Sequence, residues 1–146
     1  MKKYLLVPFL FLAGWVSGQS LNGAWKLVSQ NGKAVTEQEF IKIYQDDYFA
    51  FGAKNFADNA FIGAGGGPYK LAEGKLMETL DFFTLDPLQV GTTTSFRVEW
   101  NGSKITLSGD TANGILVETW ERISESKDDL TRNWVITGRK RDEEIT

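Results

Sequence analysis

The sequence of 146 residues contains no cysteine and no histidine. The absence of cysteine excludes disulfides, thiolate zinc sites, iron–sulfur clusters and a cysteine nucleophile. The absence of histidine excludes a serine–histidine–aspartate triad, a histidine base and imidazole ligands to a metal. Any catalysis is therefore restricted to carboxylate, lysine or tyrosine chemistry, and we expect neither a metal nor another cofactor.

The excess of negative over positive charge is also small. The chain carries 16 basic and 19 acidic residues, spread evenly, for a formal net charge of −3. A nucleic-acid-binding domain carries a basic patch or stripe, so we expect no nucleic-acid partner. The length is that of a single domain, and we expect it to be a monomer.

Long hydrophobic runs are confined to the N-terminus. A basic start at Met1–Lys3 precedes an apolar run from Tyr4 to Val16, and the small residues Ser17 and Gly18 follow. This three-part pattern predicts a secretory signal peptide over residues 1–18. The run of about 13 residues is shorter than the ~20 that a bilayer-spanning helix needs, so we expect export with no membrane span after cleavage.

The remainder of the chain is predicted to be β-structure. Short runs of strand-forming residues are separated by turn signals about every 8–12 residues, which is typical of an all-β sandwich or barrel. Asn31-Gly32 and Asn101-Gly102 are strong tight-turn dipeptides. Eight strands are predicted: Ala24–Gln30, Phe40–Tyr44, Tyr48–Ala53, Tyr69–Ala72, Lys75–Phe83, Thr92–Trp100, Ser103–Ser108 and Ile115–Ile123.

Two segments are expected to differ from this pattern. Val35–Phe40 fits a helical turn, with Thr36 as N-cap and Glu39 as its capping-box partner. Asn55–Gly67 is rich in glycine, alanine and asparagine. Because the run Gly65–Pro68 does not suit a strand interior, we predict a loop there, at the rim of the sheet.

Alternation of apolar and polar residues assigns a buried face to four strands. In Ser103–Ser108 the inward residues are Ile105 and Leu107. The inward set of Thr92–Trp100 is Thr94, Phe96, Val98 and Trp100. In Lys75–Phe83 it is Leu76, Glu78, Leu80 and Phe82, and in the last strand it is Leu116, Glu118 and Trp120. Two carboxylates, those of Glu78 and Glu118, are therefore predicted to lie on apolar faces.

Eight antiparallel strands joined by hairpins can close into an up-and-down barrel, which removes exposed strand edges. We predict such an all-β barrel for residues 19–123. The interior of an eight-stranded barrel is either filled by side chains or holds one small ligand. The aromatic candidates to line it are Phe49, Phe51, Tyr69, Phe82, Phe96, Trp100 and Trp120.

Motifs at both ends of this region match a known pattern. Leu21-Asn22-Gly23-Ala24-Trp25 places Gly-x-Trp at the start of the first strand, and Trp120-Glu121-Arg122 ends the last one. The Gly-x-Trp motif resembles the opening motif of lipocalins. In lipocalins an arginine of the last barrel strand packs over the tryptophan of this motif. The resemblance implies that Gly23, Trp25 and Arg122 close one barrel end, with the guanidinium–indole contact worth about 0.5–2 kcal/mol.

Further motifs extend the match over Leu21–Ile123. They are Gly66-Gly67-Pro68-Tyr69, Glu78-Thr79, Asp86-Pro87 with Val90-Gly91, Ser95-Phe96, Leu107-Ser108-Gly109 and Glu118-Thr119-Trp120-Glu121-Arg122. Together they resemble small, lipocalin-like (calycin-type) secreted proteins of Gram-negative bacteria, for which no reaction or ligand is settled. The resemblance implies the barrel fold and a periplasmic or secreted location, and leaves the activity open.

Residues 124–146 are predicted to form a C-terminal extension. Leu130–Arg139 echoes Leu21–Gln30, including the Leu-x-x-x-Trp spacing. Residues 134–139 are therefore predicted to form an extra edge strand, or the first strand of a truncated repeat.

Three functions fit these residues. The first is non-catalytic binding of a small apolar or amphipathic ligand inside the barrel, lined by the aromatic candidates with Glu78 and Glu118. The second is a filled barrel that binds an envelope protein or a glycan through loops 55–67 and 84–91. The third is a hydrolase in which Glu78 and Glu118 serve as acid and base, about 5–9.5 Å apart. Against it stands a structural role, in which Tyr, Thr or Arg hydrogen-bonds each carboxylate.

Overall fold

The structure is a computed structural model, and it describes residues 19–125 and Thr137. The predicted signal peptide over residues 1–18 lies outside the described residues. So does the predicted strand over residues 134–139, apart from Thr137. Within the described part of the chain, no helix is long and apolar enough to cross a membrane.

Ten strands follow one another along the described chain. They are β1 (Gly23–Gln30), β2 (Lys33–Ala34), β3 (Gln38–Gln45), β4 (Tyr48–Asn55), β5 (Phe61–Ala72), β6 (Lys75–Thr79), β7 (Phe82–Phe83), β8 (Thr93–Asn101), β9 (Lys104–Thr111) and β10 (Gly114–Ser124). One short 3-10 helix, Pro87–Gln89, lies between β7 and β8, and the Asp86 side chain caps it by accepting from the Leu88 N–H.

Eight of these strands close into a barrel. They pair antiparallel in the order β1-β3-β4-β5-β6-β8-β9-β10, and β10 pairs back with β1. In that closing pair Trp25 lies opposite Arg122, and Leu27 lies opposite Trp120. The short strands β2 and β7 pair with β1 and β5. The predicted eight-stranded antiparallel up-and-down barrel is confirmed.

The tight turns form where the sequence predicts them. Asn31 and Gly32 have φ values of 48° and 78°, and two central residues with positive φ are what the favoured two-residue hairpin turn requires. The gaps between the predicted strands, at residues 45–47, 73–74 and 101–102, are hairpins that connect β3 to β4, β5 to β6 and β8 to β9.

The strand order gives the barrel two different ends. The start of β1 and the end of β10 lie at one end, with the β3–β4, β5–β6 and β8–β9 turns. We call this the Trp25 end. The opposite end carries the long connections between β4 and β5 and between β6 and β8, and we call it the mouth.

The buried core lies on the inner faces of the strands, as the alternation predicts. On β8 the side chains of Phe96 and Val98 are buried, while those of Ser95, Arg97 and Glu99 are exposed. The core cluster contains Leu21, Trp25, Leu27, Tyr44, Phe49, Leu76, Phe96, Val98, Ile105, Leu107 and Trp120.

The loop predicted over Asn55–Gly67 is wrong for most of its length, because β5 begins at Phe61 and runs through the glycines. A Cβ atom at Gly65 would lie 2.6 Å from the Phe51 ring, and one at Gly67 would collide with the Thr79 carbonyl oxygen. The glycine run therefore allows neighbouring elements to approach β5 closely. It does not interrupt the strand.

The helical turn predicted over Val35–Phe40 is also wrong. Residues from Gln38 onward belong to β3, and Phe40 lies opposite Ala53 of β4. A single helical turn is only marginally stable in isolation because its nucleation is unfavourable. The cross-strand pairing therefore determines the conformation here.

The inward orientation predicted for Phe82 is the third correction, since its side chain is 43% exposed. The strand predicted over Lys75–Phe83 ends as β6 at Thr79, and Phe82 pairs with Gly66 of β5. At the break, the Leu80 N–H bonds to Thr92 and the Asp81 N–H bonds to Gly66. This change of partner shifts the alternation by one residue, so that Phe83 faces inward.

Candidate functional site

A cavity of about 250 Å³ lies inside the barrel on its mouth side and is partly open to solvent. Its apolar lining consists of Phe49, Phe51, Leu80, Phe83, Phe96 and Leu116. Its polar lining consists of Glu78, Thr94 and Glu118. Because Glu78 and Glu118 lie deeper along their strands than Leu80 and Leu116, we call these two carboxylates the floor of the cavity.

Glu78 is held by two side chains of β3. The Lys42 ammonium lies 3.1 Å from Oε1 and 3.2 Å from Oε2, and the Tyr44 hydroxyl also donates to Oε1. Lys42 and Glu78 are only 6% and 7% exposed. Burying such a pair carries a desolvation penalty, which is offset only by good geometry and additional hydrogen bonds. The Tyr44 hydroxyl supplies one of these bonds.

Three aromatic rings also lie close to the Lys42 ammonium. Its Nζ lies 4.7 Å from the ring centroid of Trp120, 5.6 Å from that of Phe49 and 5.8 Å from that of Tyr44. A cation within about 6 Å of an aromatic face is attracted by the ring quadrupole, most strongly by that of tryptophan. The ammonium is therefore accommodated in the interior by a carboxylate and three rings.

Glu118 is held by uncharged donors. The Trp120 indole N–H donates to Oε2 at 3.0 Å, and the Gln30 amide donates to Oε1 at 3.3 Å. Within residues 19–125 the salt bridges join Lys42 to Glu78, and Lys26 and Lys54 to Glu39; none includes Glu118.

Tyr44 is fully buried, and burial raises the pKa of its phenol well above the usual value. The negative charge of Glu78 and the hydrogen bond to it raise that pKa further, because both oppose a second anion at the same place. The phenol therefore remains protonated at neutral pH and acts as a donor to Glu78.

The structure brings five of the nine residues predicted to line the interior into this cavity: Phe49, Phe51, Glu78, Phe96 and Glu118. Trp120 is buried in the core and donates to Glu118 from outside the cavity lining. Tyr69 and Trp100 pack against the core outside the cavity lining. The Tyr69 ring lies 4.9 Å from that of Tyr44, and the Trp100 ring lies 6.3 Å from that of Trp25. Phe82 lies on the outside, as described above.

Sequence reasoning missed the two β3 residues that hold Glu78. Alternation along β3 places Phe40, Lys42 and Tyr44 on one face and Ile41 and Ile43 on the other. The isoleucines make the outward face the more apolar of the two, and Ile43 is 47% exposed. The strand pattern by itself therefore gives no reason to place a lysine inside.

The Trp25 end is closed by Trp25 and Arg122. The Trp25 indole is 1% exposed and donates to the Leu21 carbonyl at 2.7 Å. The Arg122 guanidinium lies 4.4 Å from the Trp25 ring centroid and donates to the carbonyls of Ser20 and Asn22. This is the contact that the lipocalin resemblance implies.

Gly23 stands at the same end, where β1 begins. Its φ is 130°, and a Cβ atom there would collide with the Ser124 carbonyl oxygen. Glycine is required because a side chain would block the pairing of β1 with the end of β10.

No protein-family model matches this chain, and no curated protein matches it. The closed eight-stranded barrel is compatible with a calycin-type fold. The resemblance to lipocalins therefore rests on the sequence motifs, the barrel architecture and the Trp25–Arg122 contact.

Proposed function

We propose that this protein is an exported, lipocalin-like barrel that binds one small amphipathic ligand without catalysing a reaction. The observation that carries the proposal is the cavity on the mouth side, with six apolar side chains on its walls and two carboxylates at its floor. Apolar pockets with a few well-placed polar groups are the usual form of small-molecule sites.

The size of the cavity limits the ligand. About 250 Å³ is below the roughly 300–1,000 Å³ of pockets that hold drug-sized molecules. A single ring or a short aliphatic chain fits this volume, whereas a long acyl chain would extend out of the mouth.

The hydrogen bonds at the floor favour binding over hydrolysis. Glu78 already accepts from Lys42 and Tyr44, and Glu118 accepts from Trp120 and Gln30. A general acid or base must reach the proton that it transfers. Because hydrogen bonds from neighbouring side chains already orient both carboxylates, they are better suited to positioning a ligand's polar group than to transferring a proton.

The proposal is tested with 1-hexanol as a neutral amphiphilic probe and a pair of adjacent variants on β10. Leu116→Trp fills the cavity, whereas Ile115→Trp adds the same side chain at a position that is 71% exposed. We expect ligand-observed NMR to detect 1-hexanol binding to the wild type and to Ile115→Trp, with at least a tenfold loss for Leu116→Trp. 1-Hexanol binding that is equal in both variants, or absent from the wild type, would refute a cavity site for a neutral amphiphile.

A second candidate function is favoured by the mouth itself. Several large apolar side chains are exposed on its connections and at the first residue of β5: Phe56, Phe61, Leu85, Leu88 and Val90. The Leu88 side chain is 91% exposed, and exposed apolar groups on loops of a rigid scaffold often mark protein contacts. In this alternative the barrel is an interaction module, and in-cell cross-linking to a partner protein is lost in Leu85→Ser/Leu88→Ser but retained in Leu116→Trp.

A further inference from the structure

The charges inside the barrel do not balance. Lys42, Glu78 and Glu118 are its buried charged residues within the described part of the chain, which gives the interior a formal charge of −1. The Lys42 ammonium contacts both oxygens of Glu78. The remaining negative charge therefore resides on Glu118, whose partners Trp120 and Gln30 are neutral.

Glu118 retains the capacity to accept more hydrogen bonds. A carboxylate has about four acceptor sites on its two oxygens, and Glu118 accepts one bond at Oε1 and one at Oε2. Its side chain also lines the cavity, as does that of Thr94, which lies opposite Glu78 in the pairing of β6 with β8. A ligand that donates several hydrogen bonds can therefore be satisfied at this place.

The cavity disfavours an anionic head group for the same reason. A carboxylate ligand would face the uncompensated charge of Glu118, and like charges in a poorly solvated site repel strongly. The ammonium of Lys42 does not remove this repulsion, because it pairs with Glu78 and offsets only that charge. The aromatic lining of Phe49, Phe51 and Phe96 likewise attracts a cation rather than an anion.

We propose that the cavity selects a small primary amine, with its ammonium group on Glu118 and its apolar body between the aromatic and aliphatic walls. This inference rests on the proposed binding function and adds the chemical class of the ligand. The ammonium has three donors. Glu118 accepts from it at its unfilled acceptor sites, and the short body lies against Phe51, Phe83 and Leu116, which line the cavity.

Three six-carbon probes that differ only in the head group test the inference at pH 7: hexylamine, 1-hexanol and hexanoate. We expect calorimetry on the wild-type protein to give hexylamine at least a tenfold higher affinity than 1-hexanol, with hexanoate the weakest. If 1-hexanol or hexanoate binds as tightly as hexylamine, the amine assignment is wrong while the binding barrel stands. If no probe shows binding that Leu116→Trp removes, both proposals fail together.

A charge-neutralising variant tests the role of Glu118 against a matched control. Glu118→Gln removes the negative charge from the cavity, and Glu99→Gln removes one from the exposed face of β8. We expect Glu118→Gln to reduce the hexylamine preference to within about threefold of 1-hexanol, and Glu99→Gln to leave it unchanged. An unchanged preference in a folded Glu118→Gln protein would overturn the assignment. If this variant does not fold, the wild-type ranking of the three probes still decides the question.

Discussion

Lys42 shows how a single residue depends on partners from distant parts of the chain. An unpaired ammonium in a barrel interior would cost far more than a domain's marginal stability allows. Lys42 is tolerated because Glu78 of β6 lies 3.1 Å away and the Trp120 ring of β10 lies 4.7 Å away. Neither partner is near Lys42 in sequence, so the pair is a product of barrel closure.

Tyr44 supplies a prediction at the same scale. At pH 8, Tyr44→Phe should lower the free energy of unfolding by about 1–3 kcal/mol, because buried Glu78 loses a donor. The pKa of Tyr44 is raised in the folded protein, so its contribution is complete below the unfolded pKa of about 10 and is lost as pH rises toward the folded pKa.

The wild type should therefore lose up to about 1.4 kcal/mol per pH unit more than Tyr44→Phe above pH 10. Urea unfolding of both proteins between pH 8 and 11 measures this difference, and the two stability curves should converge at high pH. Parallel curves would mean that burial and the contact with Glu78 do not raise the pKa of the Tyr44 phenol in the folded protein.

At the scale of the element, β5 departs most from what its composition suggests. Its glycines fill the places where β7 and the rings of Phe51 and Phe82 approach the strand. Glycine in a strand interior loses entropy and packs no side chain. Here that loss is offset by the close approach of neighbouring backbone, which a side chain would prevent.

Gly67→Ala and Gly52→Ala give a matched test of this reading. A Cβ atom at Gly67 would meet the backbone of Thr79 and Asp81, whereas one at Gly52 on β4 would meet nothing within 4 Å. We expect Gly67→Ala to lower the free energy of unfolding by about 1–3 kcal/mol or more. Gly52→Ala should be neutral, or stabilising by less than about 1 kcal/mol. Equal effects in urea unfolding would contradict the packing role assigned to Gly67.

At the scale of the whole molecule, closure depends on one seam. The pairing of β1 with β10 joins the two ends of the barrel sequence, and Arg122 links the end of β10 to Ser20 and Asn22 before β1. A sheet left open at this seam would present two unpaired edges. The stacking of Arg122 on Trp25 reinforces the same seam from the barrel end.

Arg122→Ala should therefore destabilise the molecule by about 1–3 kcal/mol, because it removes a cation–π contact and hydrogen bonds to two carbonyls. Arg122→Lys should recover less than half of this, since an ammonium cannot reproduce the planar stack. The control is Arg97→Ala on the exposed face of β8, which should change the stability by less than about 0.5 kcal/mol. Chemical denaturation checks all three, and equal losses at positions 97 and 122 would exclude a special role for the closing arginine.

The features that depend on neighbouring residues could be predicted from the amino-acid sequence. Turn dipeptides such as Asn31-Gly32 and alternation along strands such as β8 act over a few residues, so they predict hairpins, buried faces and hence the barrel. The same alternation placed Glu78 and Glu118 inside. Strand period and turn chemistry are local properties, which a single sequence carries in full.

The features that need two distant segments to meet follow only from the fold of the whole barrel. It placed Lys42 beside Glu78, and it turned Gly65–Gly67 into a strand against which other backbone packs. It also changed the partner of the chain after Thr79, so that Phe83 faces inward in place of Phe82. Each of these features depends on contacts between strands that are distant in sequence. Such contacts form only when the barrel closes, so the order of residues within one strand does not predict them.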